Sequence, residues 1–386
     1  MNVIEDKQLK AALNQHYLKQ PIESDITKEQ LINLRGVIAL DEKGIKDLSG
    51  LNYAIHTTQI HLGGNQITDL TPLQELKNLE QLNLADNQIK DLRPLSRLPY
   101  LKRLDVSKNY IRSLWPLTKL TQLKMLLVDY NPLQGYDELR FMKGLVSLSL
   151  RGSGIQSLQP LAPLTQLEIL TLDENKIESL VPLSEHFLLT QLHLDHNQIH
   201  DLGPISKLRR LQVLFVKHNH LVDVTPIHHL KHLQFLDLSD NQISDLSPLS
   251  HLEFLQGLNV MNNQVSDLTP ITKLPLLKAL LAQGNRIASI SGLQQLTIVK
   301  LDQQHLQWEI EGKNPCQLDL TNRLMDETGE VPMIMISPSM GSYNQKTKII
   351  SLHEGITQLT FKFDSQEGNI SFNGVIDCLV KPKLKE

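Results

Sequence analysis

The feature that most constrains this 386-residue chain is a beat of twenty-two residues. From LEQLNLADNQIKDLRPLSR, whose asparagine is Asn87, the pattern L-x-x-L-x-L-x-x-N-x-I-x-(D/S)-L-x-P-L-x-x-L returns at a fixed interval. Its asparagines are Asn65, Asn87, Asn109, Asn131, Asn175, Asn197, Asn219, Asn241, Asn263 and Asn285, and Ser153 fills the one vacant place. A period of this size specifies a solenoid, because one repeat cannot bury its apolar groups alone and a stack of them can. A solenoid acts by presenting a wide surface to another macromolecule.

Each rung carries its own logic. Two inward leucines stand two apart, as Leu82 and Leu84 do, which is one face of a strand. A third inward residue such as Ile89 follows the asparagine and closes the turn. The asparagine both donates and accepts hydrogen bonds and tolerates unusual backbone angles, so it can satisfy turn groups that no strand neighbour reaches. Pro72, Pro94, Pro116, Pro160, Pro182, Pro204, Pro226, Pro248 and Pro270 predict a short 3₁₀ return. Asp69, Asp91, Asp201, Asp223, Asp245 and Asp267 form a row that is read as turn-stabilising acids, not as an active site or a calcium array. Residues 132 to 154 break the rule: PLQGYDELRFMKG lacks the usual proline, and Ser153 sits between two glycines. A bulge or a change of curvature is expected there.

The ends differ from the middle. In residues 1–36, Leu9, Ala12, Leu13 and Tyr17 predict an amphipathic helix ended by Gln20-Pro21. Thr27 and Gln30 predict a capping box on a second helix that buries Ile26 and Leu31. This segment covers the apolar end and open sheet edge of the first rung. The rungs start at VIALDEKGIKDLSGL, with Lys43 in the asparagine's place, and finish with the shortened TIVKLDQQHL, where Val299, Leu301 and Leu306 keep the pattern. After Trp308 the period becomes two, as in Leu359, Phe361 and Phe363 or Ile376, Cys378 and Val380, which predicts a small β-sandwich.

Composition excludes several function classes. A formal charge of -4 gives no basic footprint for nucleic acid or an anionic membrane. No apolar run is long enough to cross a membrane, and MNVIEDKQLK does not read as a cleavable leader. Phosphate-loop, zinc-protease, serine-elbow and paired-cysteine motifs are missing, so neither an enzyme nor a cofactor is expected. Cys316 and Cys378 lie in the first and last strands of the tail; they pair in an oxidising compartment and stay as thiols in the cytosol. His196 and His218 share one position on adjacent rungs, with Asp240 next, and are read as solvated side chains rather than a zinc site.

The binding surface is legible from strand alternation. Positions six, four and two before each asparagine point away from the core. Most are polar, including Arg103, His193 and Asp237. Met125 and Leu127 are apolar, with Tyr130 at the edge of their rung; Ile169 follows, then Val213, Phe215 and Phe235. Rungs stack at about 4.8 Å, so these residues gather into patches of the kind that contact a protein.

With the cap, the repeats LxxLxLxxNQIxDLxPL, the shortened LDQQHLQW rung and the tail pieces NPCQLDL, ISPSMGSYNQ, ITQLTFKF and NISFNGVI on the page, the chain resembles the internalins. The resemblance implies an α/β-solenoid: a leucine-rich-repeat horseshoe over 37–307, a helical cap over 1–36 and an all-β Ig-like sandwich over 308–386. It implies a bacterial, non-catalytic protein that binds a protein partner, often of a host, on its concave face. It also implies export, whereas a chain that truly starts at Met1 without a leaderless route would stay in the cytoplasm. The alternative is an intracellular scaffold or regulatory subunit that binds a protein of its own cell. A monomer is expected, with carbohydrate binding a weaker third reading because exposed aromatics are few.

Overall fold

The computed structural model describes residues 1–386 except 294–295, 313–316, 322, 327–329, 354–355, 368–369 and 383–386, and except the side chains of 310–312, 366–367, 370–371 and 381–382. Contacts divide the chain into two compact units, 1–197 and 198–386.

The first unit begins with α1 (Lys7–Leu13), prolonged by a π-helical turn over Asn14–Leu18, and α2 (Lys28–Ile32). Leu9, Ala12 and Leu13 are buried, and the Thr27–Gln30 capping box is present. Asp6 fixes this cap to the repeats. Its Oδ1 accepts the Gln8 and Leu9 N–H groups, while Oδ2 accepts those of Lys46 and Asp47 at 2.9 and 3.0 Å. Burial pushes the Asp6 carboxyl up, but these backbone donors together hold it below its ordinary value. The Tyr17 hydroxyl meets the backbone N–H and C=O of Ala39, closing part of the first sheet edge.

Eight parallel strands follow: β1 (Gly36–Ala39), β2 (Thr57–His61), β3 (Gln81–Asn83), β4 (Arg103–Asp105), β5 (Met125–Leu127), β6 (Ser147–Ser149), β7 (Ile169–Thr171) and β8 (Gln191–His193). From β2 on, each residue pairs with its equivalent in the next rung, so like positions line up in columns. The 3₁₀ returns form where the prolines predicted them, as in Thr71–Leu73 and Arg93–Arg97. Asp69 and Asp91 accept the N–H two residues on, at 2.9 Å in both cases.

The asparagine ladder works as a satisfaction device for buried backbone. Asn87 Nδ2 donates to the carbonyls of Leu62, Leu84 and Ala85, and its Oδ1 accepts the Ile67 N–H at 2.9 Å. The unusual backbone angle falls one residue earlier than expected. Glu42, Asp86, Lys108, Tyr130, Glu174 and His196 hold φ between 52° and 57°, so the residue before the asparagine turns left-handed and the asparagine bonds across that turn. Where Ser153 stands, its short side chain cannot bridge rungs. The Leu133 N–H turns to Asn131 C=O instead, and Tyr136 Oη donates to the Ser153 carbonyl at 2.6 Å. The expected irregularity is therefore a local rerouting of 132–136 by a tyrosine.

The second unit continues the same rung with β9 (Val213–Phe215), β10 (Phe235–Asp237), β11 (Gly257–Asn259) and β12 (Ala279–Leu281), parallel and in register. In the shortened rung Gln304 takes the asparagine's part. Its Nε2 donates to Ala282 and Leu301 carbonyls, both at 2.9 Å, and Oε1 accepts the Ile287 N–H. The longer glutamine reaches where the deletion has drawn the turn back.

Next come β13 (Ile298–Gly312), β14 (Gln317–Asp319), β15 (Met333–Ile336), β16 (Gly341–Asn344), β17 (Ile349–Leu352), β18 (Gln358–Glu367) and β19 (Ile370–Pro382). β13 pairs with both β12 and β19, so the repeat sheet of this unit runs on through β19 and β18 to β15, while β14, β17 and β16 form a second sheet. The core holds Phe361, Phe363 and Phe372, all fully buried. This tail is an all-β domain. Cys378 is buried, and its pairing with Cys316 falls outside the described residues. No helix among the described residues is long and apolar enough to cross a membrane.

Candidate functional site

Strand alternation places every sequence-predicted contact residue on the outward face of its sheet or on the turn that follows. In the first unit Arg103 lies beside Met125, Asp105 beside Leu127, and Ser147 between Met125 and Ile169. Ser147 and Ser149 are buried although they point outward, because the larger side chains of adjacent rungs enclose them. Met125, Leu127 and Ile169 thus lie close together, separated along the columns by the buried serines. Tyr130 belongs to the turn instead. Its ring lies across Gly152, where an added Cβ would come within 2.5 Å of Cδ1 and Cε1. Its hydroxyl donates to Glu174 Oε2 at 3.0 Å, and Arg151 binds the other oxygen of Glu174.

In the second unit Val213 is the register partner of Phe235, and Phe215 that of Asp237. The column that starts with Val213 and Phe235 continues as Gly257, Ala279 and Ile298, apolar throughout. Gly257 leaves room for the Phe235 ring, since a Cβ there would lie 3.1 Å from Phe235 Cδ1. Phe235 is 43% exposed and Ile298 52%. Reading the sequence missed Ile298 as a contact residue because the three-residue deletion hides its column. Another missed feature is the edge-to-face pair of Trp115 and Phe141, 6.0 Å apart and exposed on the 3₁₀ turns.

The polar residues of the outward face behave differently: many are already committed to the backbone. Asn83, Asp105, Asp237 and Asn259 each accept the N–H two residues on. Where a histidine or serine occupies that place, an aspartate of the preceding rung accepts the bond: Asp41 for Gly63, Asp129 for Arg151 and Asp173 for Asp195. Burial pushes the Asp129 and Asp173 carboxyls above their ordinary range despite those bonds. Burial also lowers the pKa of His193, with Asp173 pulling the other way. Asp237 is occupied twice, by Ser239 through Oδ1 and by Asn259 Nδ2 through Oδ2 at 2.8 Å.

Toward the tail, an open pocket of about 690 Å³ lies over His305, Met335, Lys362, Val375 and Asp377. Bonds from Thr360 and His305 hold the Asp377 carboxyl below its ordinary value. Thr360 Oγ1 donates to Asp377 Oδ1 at 2.6 Å, and His305 Nε2 lies 2.8 Å from Oδ2. Among the described residues no group of three or more histidine, cysteine or carboxylate side chains is placed to hold a metal ion.

Models of leucine-rich repeats match residues 58–97, 209–251 and 231–273, as paired copies, and 186–203 as a single repeat. Among solved structures, an internalin of Listeria monocytogenes, InlF, is 28% identical over 79% of this chain and 91% of its own, with a TM-score of 0.72. The functional domain of InlJ from the same organism is 21% identical over 97% of both chains, TM-score 0.63. The leucine-rich-repeat ectodomain of the plant receptor kinase GASSHO1/SCHENGEN3 from Arabidopsis thaliana, in complex with CASPARIAN STRIP INTEGRITY FACTOR 2, is 22% identical over 73% of this chain and 37% of its own, TM-score 0.59. No curated protein matches the sequence. The chain is an internalin-like leucine-rich-repeat protein.

Proposed function

We propose that this chain is a non-catalytic binding protein of the internalin type, which takes a protein partner on the outward faces of its repeat strands. In this reading residues 1–36 are a cap, 37–307 the binding solenoid and 308–386 an Ig-like domain. The anchors are Met125, Leu127, Tyr130 and Ile169 in the first unit and Val213, Phe215 and Phe235 in the second, with Ile298 added from the structure. Arg103 and His193 border the first group. Asp237 acts mainly by holding its own turn.

One observation carries the proposal: several polar side chains of the face are tied into turns, while Phe235 and Ile298 beside them are exposed in one apolar column. The plant ectodomain in complex with its factor supports protein binding by this fold. A protein of a host organism is the first partner class to test. Wild-type chain and the Phe215→Ser, Phe235→Ser double variant should be immobilised and exposed to the same host-cell extract. The expected result is a partner retained by the wild type and reduced about tenfold or more by the folded variant. Equal retention would refute the assignment.

A further inference from the structure

The two edges of the larger sheet strand order, at β1 and at β15, are treated differently. At β1, Tyr17 of the helical cap bonds the Ala39 backbone and closes part of the edge. At the other end of its own sheet, β15 pairs with β18 on one side only, and no further backbone bond reaches residues 333–336 among the described residues. Its sequence is Met-Ile-Met-Ile. Met333 is 59% exposed and Met335 47%, while Ile334 is buried beneath. Sheet edges are commonly blunted by charge, a bulge, an inward lysine, shortness or proline, and this strand has only the last two. Pro332 and Pro338 bound it, so only a short strip can pair.

We infer that β15 is the site at which a second copy of this chain docks, by antiparallel pairing of β15 with β15 about a two-fold axis. An isologous contact needs a strip that is complementary to itself, and this one is. The Pro-bounded strip is the same length on both copies. Directly opposed residues of antiparallel strands share a face, so only registers that set methionine against methionine keep the isoleucines inward. With Met333 opposite Met335 of the other copy and Ile334 opposite its own equivalent, both methionine pairs form at once.

The flanking charges agree with that register. Lys362 is the β18 partner of Met335, and Asp364 that of Met333. Across the joined sheets each outward row then reads lysine, methionine, methionine, aspartate, so opposite charges close its two ends and like charges never meet. A four-residue edge buries little area, so the dimer is weak and concentration-dependent.

The test uses the full chain. Sedimentation velocity should show the mean mass rising toward twice that of one chain as concentration is raised over roughly two decades. The Met333→Lys, Met335→Lys variant, with an unchanged melting temperature, should weaken the dimer about tenfold or more. Under mild oxidation, Met333→Cys with Met335→Cys in one chain should give a cross-linked dimer, whereas wild type and each single variant should not. A chain that stays monomeric throughout would overturn the proposal and leave the edge to a foreign strand. Dimers that survive the lysine variant, or single cysteines that cross-link as well as the pair, would also overturn it.

Discussion

Single residues decide whether a rung can stack. Asn87 spends its whole side chain on four backbone groups, and this role was legible because a residue that donates and accepts recurs every twenty-two positions. The left-handed residue before it was not legible. Asp86, Lys108 and Tyr130 share a backbone angle and no chemistry, since nothing about the side chain is being selected there. His186 was overlooked for the opposite reason: it occupies a place that Leu76, Leu98, Leu120 and Leu164 fill in other rungs. It is fully buried, with Nε2 at 3.2 Å from the Leu161 carbonyl and Nδ1 lacking a partner. Burial depresses its pKa, outweighing the opposite pull of the nearby backbone carbonyls. A depressed histidine contributes stability that is intact above its unfolded pKa of about 6.5 and is lost as pH falls through the folded value. His186→Leu should therefore stabilise the protein by about 1–2 kcal/mol at neutral pH and flatten the fall in melting temperature between about pH 7 and pH 5. Identical pH profiles for the two proteins would count against this role.

At the scale of elements, periodicity foretold strands, 3₁₀ returns and both cap helices, because each follows from local spacing. Departures from the beat were located but not explained. Residues 132–136 needed the structure, since only there does Tyr136 meet the Ser153 carbonyl across seventeen residues of sequence. The shortened rung likewise concealed Gln304, whose extra methylene makes up for a deletion. If the tyrosine hydroxyl is what repairs the serine rung, Tyr136→Phe should cost about 1–2 kcal/mol by leaving a carbonyl short of a partner. Thermal unfolding would measure it, and an unchanged midpoint would show that the loop holds without the hydroxyl. Gly152 and Gly257 serve a different purpose. Each gives an aromatic ring of the preceding rung a seat, so the placement of Tyr130 and Phe235 depends on the neighbouring repeat as much as on their own.

At the scale of the molecule, repetition supplies a surface and irregularity supplies its character. The candidate face was legible in outline, because alternation alone sends Met125, Leu127, Val213, Phe215 and Phe235 outward. What sequence could not weigh was availability: Asp237 looked like a contact residue and is bound to its own turn, while Ile298 looked like part of a degenerate rung and is exposed. The claim that the outward apolar residues make the contact is open to direct measurement by site-specific photo-cross-linking. A photoreactive phenylalanine analogue placed at Phe235 or Leu127, and as controls at Trp115 and Val222, should be irradiated with the partner-containing extract. Covalent adducts with one protein from the first two positions and none from the controls are predicted; adducts confined to Trp115 or Val222 would contradict the account.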